Sequence, residues 1–526
     1  MKHDPRIFVA GRFAARVAAR VAARFVVLGG VLVGMTDPAV AQPVDPYADP
    51  APLDPYAEPA KPKGGKKPKA AKPVAKPAAK QPSVLDPYGV TAPPESPRDV
   101  LLERKPGGAG TGTGTGTGMG PAAALAPVTG AVAAAGTFDL AAVQGLMAVQ
   151  NLDGWLLVDH AGSNPVARSL VAVQGTPARR WFYLVPRTGE PTLLCHASEV
   201  ASFAAAPGAR VTYTGYRDLD KNLRALLKGK KALAMEYSPK GALPSLSRVD
   251  AGTIELVRAA GVTVRSSEGL VQFAKATWGL EGRKQHYVAA HHLIELRKEA
   301  LAFIAKQLAA GAAVSERDVQ LRIEKGMLTR GLIGPAPVVA FGKNSAIPDY
   351  VPAPGRSATL VEGDVVLLSV AGKVVGGVFA AHSWVAVADS NVRPALQVAF
   401  ETAALARDEA LALVSDRVKR RRAVKGWEVD KAARDFLTKA GMIDRVLHRT
   451  GHSLDADLYG SGTDLDDLEV RDQRSVVVGT GFTIGPGLYY PADLGVRAEV
   501  SAYLGKDGLE VTTTAQEWVE TLVPKK

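Results

Sequence analysis

The composition of the chain breaks at about residue 136, and that break decides where a core can form. Residues 42 to about 136 carry three Asp-Pro-Tyr triplets (starting at Asp45, Asp54 and Asp86), a Lys/Pro/Ala stretch and a Gly-Thr repeat at 110–118. Such a sequence buries too little apolar surface to offset its chain entropy, and it reads as a disordered linker. Its Lys/Pro part is expected to be extended and self-repelling, its Gly-Thr part flexible. A fold must therefore come from residues 137–526, a length that suits two domains.

The first 41 residues read as a signal peptide for export. Arg12, Arg16, Arg20 and Arg24 precede an apolar run from Phe25 to Met35, and Ala39-Val40-Ala41 supplies small residues for cleavage. That apolar run is too short to span a bilayer, which takes roughly 18 residues or more. An Arg-rich amphipathic transit peptide is the rival reading. The formal net charge of +12 is local. Residues 1–41 contribute +4 and the acid-free stretch 60–82 contributes +8, leaving zero for the rest. The charge is thus no nucleic-acid footprint. The Lys/Pro stretch instead suits a tether to an anionic envelope surface. The single cysteine, Cys195, excludes a disulfide framework and a Cys-based zinc site, and it reads as a buried, inert thiol.

From Phe138 the pattern changes. Gly154-Trp155-Leu156-Leu157-Val158, Trp181-Phe182-Tyr183-Leu184-Val185 and Ala232-Leu233-Ala234-Met235 are apolar runs of strand length with helical stretches between them. Residues 137–275 are thus expected to form an α/β domain. A long helix is expected over about 281–309, and Ser315-x-x-Asp318 opens another with Val319, Ile323 and Met327 on one face. Beyond about 335 strands dominate, with helices near 394–415 and 427–440.

Three segments of that last part carry chemistry-bearing patterns. Asp364 to Val370 and Val378 to Val385 are apolar strands joined by Gly376-Gly377, a hairpin. His448-Arg449-Thr450-Gly451-His452-Ser453 follows, with Tyr459 seven residues beyond His452. Then Thr483-Ile484-Gly485-Pro486-Gly487-Leu488-Tyr489 leads to Gly495-Val496-Arg497-Ala498-Glu499. In this order the three segments resemble the creatinase, aminopeptidase P and Xaa-Pro dipeptidase proteins of peptidase family M24, over roughly residues 138–526. The resemblance implies an α+β architecture. A pita-bread C-terminal domain over 276–526 would follow a smaller creatinase-type α/β domain over 137–275.

The chemistry of that family uses two divalent ions about 3.5–4 Å apart, which hold a bridging hydroxide. The resemblance implies five ligands: two Asp, one His and two Glu. Carried onto this sequence, the two Asp positions hold Ser369 and Ala381, and the first Glu position holds Gly485. His452 and Glu499 are retained. Of the assisting histidines, His448 is retained, while the other two positions hold Asp349 and Tyr459. One carboxylate in place of four leaves the repulsion between two dications almost unopposed, so no dinuclear centre is expected. His382 beside Ala381 should face the other side of its strand. One Mn, Co or Zn ion on His452, Glu499 and a recruited group remains an alternative, as does metal-free chemistry of the creatinase kind.

The expectation is therefore an exported pseudo-peptidase without a cofactor. It would bind a peptide or protein partner in the former substrate cleft, alongside Arg497 and the positions above. The alternative is an Xaa-Pro hydrolase with a rebuilt site. Resemblance makes a homodimer an expectation too. The basic run Lys419-Arg420-Arg421-Arg422 reads as a solvated turn.

Overall fold

A computed structural model describes residues 138–524. The signal peptide expected at 1–41 and the linker expected at 42–136 lie outside the described residues. No helix among the described residues is long and apolar enough to cross a membrane.

The first part is a six-stranded mixed sheet in the order β4-β3-β2-β1-β5-β6. Its strands are β1 (Gly154–Asp159), β2 (Trp181–Pro186), β3 (Thr192–His196), β4 (Ala209–Tyr213), β5 (Ala232–Met235) and β6 (Thr263–Ser266). Strands β1 to β3 pair antiparallel, whereas β4, β5 and β6 join in parallel. Helices cover both faces, which is why β1 is apolar from Gly154 to Val158 and has every residue buried. Helices α1 (Leu140–Val149) and α2 (Pro165–Val171) pack Val143, Met147 and Leu170 against Trp155, Leu157 and Tyr183. On the other face, α3 (Tyr216–Leu227) and α4 (Ala251–Ala259) set Leu223, Leu227 and Val257 against Leu156, Phe182 and Leu184. Cys195 is a buried β3 residue within the first of these cores.

One carboxylate ties this domain together. Glu236, just past β5, is buried and accepts from Trp155 Nε1 at 2.7 Å, Asn164 Nδ2 at 2.9 Å and Ser267 Oγ at 3.1 Å.

The chain then leaves β6 and enters α5 (Leu280–Ala309). The segment between them is bound to the second domain. Gln272 Nε2 donates to Thr463 Oγ1 and the Ser475 carbonyl, and Trp278 Nε1 donates to the Leu454 carbonyl. Lys275 pairs with Asp455 at 3.2 Å and Asp457 at 2.6 Å.

In the second domain α6 (Glu316–Thr329) starts on a reciprocal cap. Ser315 Oγ accepts from the Asp318 N–H, and the Asp318 carboxylate accepts from the Ser315 N–H. Strands β7 (Leu332–Ile333), β8 (Val338–Phe341), β9 (Val365–Val374), β10 (Ala380–Val387) and β17 (Glu520–Thr521) form one sheet. Strands β11 (Ser453–Leu454), β12 (Thr480–Ile484), β15 (Val500–Gly505) and β16 (Gly508–Val511) form a second, and β13 (Gly487–Tyr490) pairs with β14 (Leu494–Arg497).

Residue parity on β9 explains how helices pack on both sides of it. Val366, Leu368 and Val370 meet α5 and α6, with Leu293, Leu296 and Ile323. Val365 and Leu367 belong to the core under α7 (Pro394–Lys419) and α8 (Gly426–Lys439), which also holds Phe482, Ile484, Val500 and Ala502. Period-two alternation thus serves two buried faces at once.

Candidate functional site

The β9–β10 hairpin sets the floor of the site. Its register pairs Ser369 with Ser383, Ala381 with Ala371 and His382 with Val370. Ser369, Ala381 and Ser383 therefore share one face and His382 takes the opposite one. His382 is fully buried on the α5 side, and neither ring nitrogen has a hydrogen-bond partner among the described residues. Burial, then the nearby Arg297 charge, pushes its pKa down to about 3, so the ring is neutral.

Ser383 fastens the floor to the segment after β14. Its Oγ accepts from the Glu499 N–H at 3.0 Å and donates to the Arg497 carbonyl at 2.8 Å. This brings Glu499 over Ser369, whose Oγ lies 3.4 Å from a carboxylate oxygen. Gly485 follows β12 directly and lies beside Glu499. A Cβ placed on Gly485 would stand 2.5 Å from Glu499 Cβ and 2.7 Å from its Cγ. The two chains approach this closely because Gly485 has no side chain.

His452 arrives on a short connection clamped to β12. The Thr483 N–H donates to the His452 carbonyl at 2.8 Å, and the His452 N–H donates to Thr483 Oγ1 at 3.1 Å. A Cβ at the preceding Gly451 would stand 1.9 Å from the Thr483 carbonyl oxygen, so only glycine permits the clamp. His452 Nδ1 donates to the Ser453 carbonyl at 3.1 Å, and Tyr459 sets its ring 4.7 Å from the imidazole. Burial lowers the pKa of His452, partly opposed by the charge of Glu499.

His448 belongs to a separate chain of bonds. Its Nδ1 donates to the Arg449 carbonyl at 2.7 Å, so Nε2 accepts from Tyr489 Oη at 2.8 Å. Tyr489 Oη in turn accepts from Arg497 Nε at 3.1 Å and Arg497 Nη2 at 3.0 Å, and Arg497 also reaches the Pro348 carbonyl. Burial, then the Arg497 charge, pushes His448 down to about 3, and it stays uncharged at neutral pH. Burial raises Tyr489, which keeps its proton. Asp349 is exposed next to Pro348, in a loop held by the buried Glu316, which accepts from Phe341, Asn344, Tyr350 and Ala358.

These residues do not fit a pair of divalent ions. Ala381 has no donor atom, Gly485 has no side chain, and Ser369 contributes one neutral hydroxyl. Asp455 and Asp457 are held by Lys275. Among the described residues no three His, Cys, Asp or Glu side chains come together as a metal site. His452 and Glu499 are the retained donors of the expected set.

Three participants escaped the sequence reading. Ser383 and Tyr489 sit inside apolar strands, where a single hydroxyl looks incidental. Lys275 lies in the interdomain segment, and its partners are about 180 residues away in the chain. A cleft of about 220 Å³ lies between the domains, with Leu243, Pro244 and Arg248 on one wall and Arg449, Tyr459 and Val470 on the other. Tyr459 thus belongs both to this cleft and to the surroundings of His452.

Comparison with known proteins agrees with this geometry. Residues 289–505 match the model of metallopeptidase family M24. The Bacillus subtilis protein YkvY is 26% identical over 333 residues, covering 62% of this chain and 84% of that protein. The Xaa-Pro dipeptidase of Lactobacillus helveticus is 29% identical over 198 residues, covering 37% of this chain and 48% of the relative. The crystal structure of dipeptidase PepE from Mycobacterium ulcerans superposes with a TM-score of 0.57 at 20% identity, over 73% of this chain and 96% of that one. The α+β arrangement described above, with helix pairs packed against its sheets, is the pita-bread fold, preceded by a smaller α/β domain. Residues 289–505 are thus similar to metallopeptidase family M24.

Proposed function

We propose that this chain is a peptide-binding member of family M24 that does not hydrolyse its ligand. The observation that carries the reading is the set Ser369, Ala381 and Gly485 around Glu499, where the family's chemistry calls for three further carboxylates. A lone carboxylate offsets one of four positive charges, and the mutual repulsion of two ions then dominates in a cleft of lowered dielectric. What survives suits recognition: the half-buried polar side chains of Ser369, His448, His452 and Arg497 beside the β9–β10 hairpin. Relatives named Xaa-Pro dipeptidase point to short peptides as the ligand class. The signal peptide expected at residues 1–41 extends the proposal to a site of action outside the cytoplasm.

The test is metal content of the purified protein by mass spectrometry, together with turnover of Ala-Pro in added Mn²⁺, Co²⁺ or Zn²⁺. The expected result is sub-stoichiometric metal and no turnover. Stoichiometric metal, with turnover that His452→Ala abolishes, would instead establish a hydrolase with a rebuilt site.

A further inference from the structure

The face of β10 that meets α5 carries two buried polar groups whose surroundings leave them unsatisfied. His382 and Trp384 are two residues apart on β10, so they share this face and their side chains start about 7 Å apart. His382 is fully buried, and neither ring nitrogen has a hydrogen-bond partner among the described residues. Arg297 of α5 lays its guanidinium over the Trp384 ring, 3.5 Å from the centroid. It is 3% exposed, and its Nε–H finds no acceptor among the described residues.

Two carboxylates act on this cation without offsetting its burial. Glu520 is exposed and accepts from Trp384 Nε1 at 2.7 Å, while Glu295 pairs with Lys298 at 2.9 Å. Burial lowers the pKa of Arg297, and the charges of Glu520, then Glu295, oppose that only in part. The core on this side adds Leu293, Leu296, Leu368 and Val370, none with a polar side-chain atom. Buried groups left in this state are costly, and native interiors meet them with a protein atom, a water or an ion.

The two groups present N–H donors: the guanidinium Nε–H and, in the neutral imidazole, one ring nitrogen. Two donors and a buried positive charge call for a small, negative acceptor. A monatomic anion about 3 Å from each N–H bridges the neighbouring positions. A carboxylate or phosphate would bring further oxygens that this apolar core cannot satisfy.

We propose that Arg297 and His382 bind one chloride ion between α5 and β10. The ion fastens the helix to the back of the hairpin whose opposite face carries Ser369, Ala381 and Ser383. This site is independent of the peptide-binding reading above.

The test is a thermal melt of the full chain at fixed pH, with sodium chloride exchanged stepwise for sodium gluconate at constant ionic strength. General screening is then equal in every sample. Chloride should raise Tm saturably, by roughly 5 °C at a hundredfold excess over its Kd. Bromide should act alike, and anomalous diffraction from a crystal grown in bromide should show a peak between Arg297 Nε and the His382 ring. Arg297→Met should abolish the chloride dependence, and His382→Leu should weaken chloride binding at least tenfold. Equal melting in chloride and gluconate would overturn the inference, as would an ordered water at that position in the bromide crystal. Neither comparison needs a variant to fold. A chloride effect that survives both substitutions unchanged would also overturn it, by placing the ion elsewhere.

Discussion

Gly485→Ala isolates the approach of β12 to the segment carrying Glu499. The backbone at Gly485 does not lie in the left-handed region, so alanine brings no conformational penalty there. It does bring a methyl group 2.5 Å from Glu499 Cβ, 2.7 Å from Cγ and 3.0 Å from Cα. Carbon atoms rest about 3.5–4.0 Å apart, so the two chains must separate by about 1 Å. Beside this contact Ile484 pairs with Val500, and both are fully buried, so little slack exists. Overpacking of this kind costs about 1–3 kcal/mol, which in a domain of this size lowers Tm by roughly 2–6 °C. Gly485→Glu adds a second carboxylate beside Glu499, a further ~4 kcal/mol of repulsion for charges about 4 Å apart at an effective dielectric of about 20. Restoring the family's ligands with Ser369→Asp, Ala381→Asp and Gly485→Glu should therefore fail to create a tight Mn²⁺ pair and should destabilise the protein. The assay is a thermal melt with and without Mn²⁺, alongside a double-mutant cycle. Glu499→Gly removes both clashing side-chain carbons, so with Gly485→Ala it should show a favourable coupling of about 1–2 kcal/mol. A Gly485→Ala protein as stable as the parent, or a restored triple variant binding two Mn²⁺ ions with raised Tm, would refute the reasoning.

Two further outcomes are expected. Burial pushes Glu236 from 4.5 up to about 7, outweighing the indole, amide and hydroxyl that donate to it and pull its pKa down. The native protein then keeps a proton that the unfolded chain releases, so this contribution is whole below about pH 4.5 and is lost as pH climbs through about 7, some ~3 kcal/mol in all. Relative to Glu236→Gln, the parent should lose that much stability between pH 4.5 and pH 8 in denaturant titrations; a flat difference would contradict it. Lys275→Met should cost about 3–5 kcal/mol, because Asp455, with 1% of its side chain exposed, keeps its charge without its cation. Adding Asp455→Leu should recover a large part of that loss, and a single-variant loss under about 1 kcal/mol would assign the pair no structural weight.

Much of the architecture was legible because it follows from local pattern. Unbroken apolar runs such as Trp181 to Val185 announce strands covered on both faces, and β2 is such a strand. Ser315 and Asp318 announce a helix start through bonds spanning three residues. Gly376-Gly377 between two apolar runs announces a hairpin, and alternation along it placed His382 opposite Ala381, as the register does. The identities at Ser369, Ala381 and Gly485 are likewise plain in the letters. What they do to the space around Glu499 is not.

That space was decided by contacts between residues far apart in the chain. Ser383 reaches Glu499 across 116 positions and Ser369 reaches it across 130. The closeness of Gly485 to Glu499 exists only once β12 and β15 have paired. The bonding of Tyr489 to both His448 and Arg497, and the hold of Lys275 on Asp455, depend in the same way on elements meeting in three dimensions. Periodicity records which face of an element is apolar, since every residue on that face meets the same core. A polar contact depends on one distance and one angle, and those are set only when the whole chain has packed.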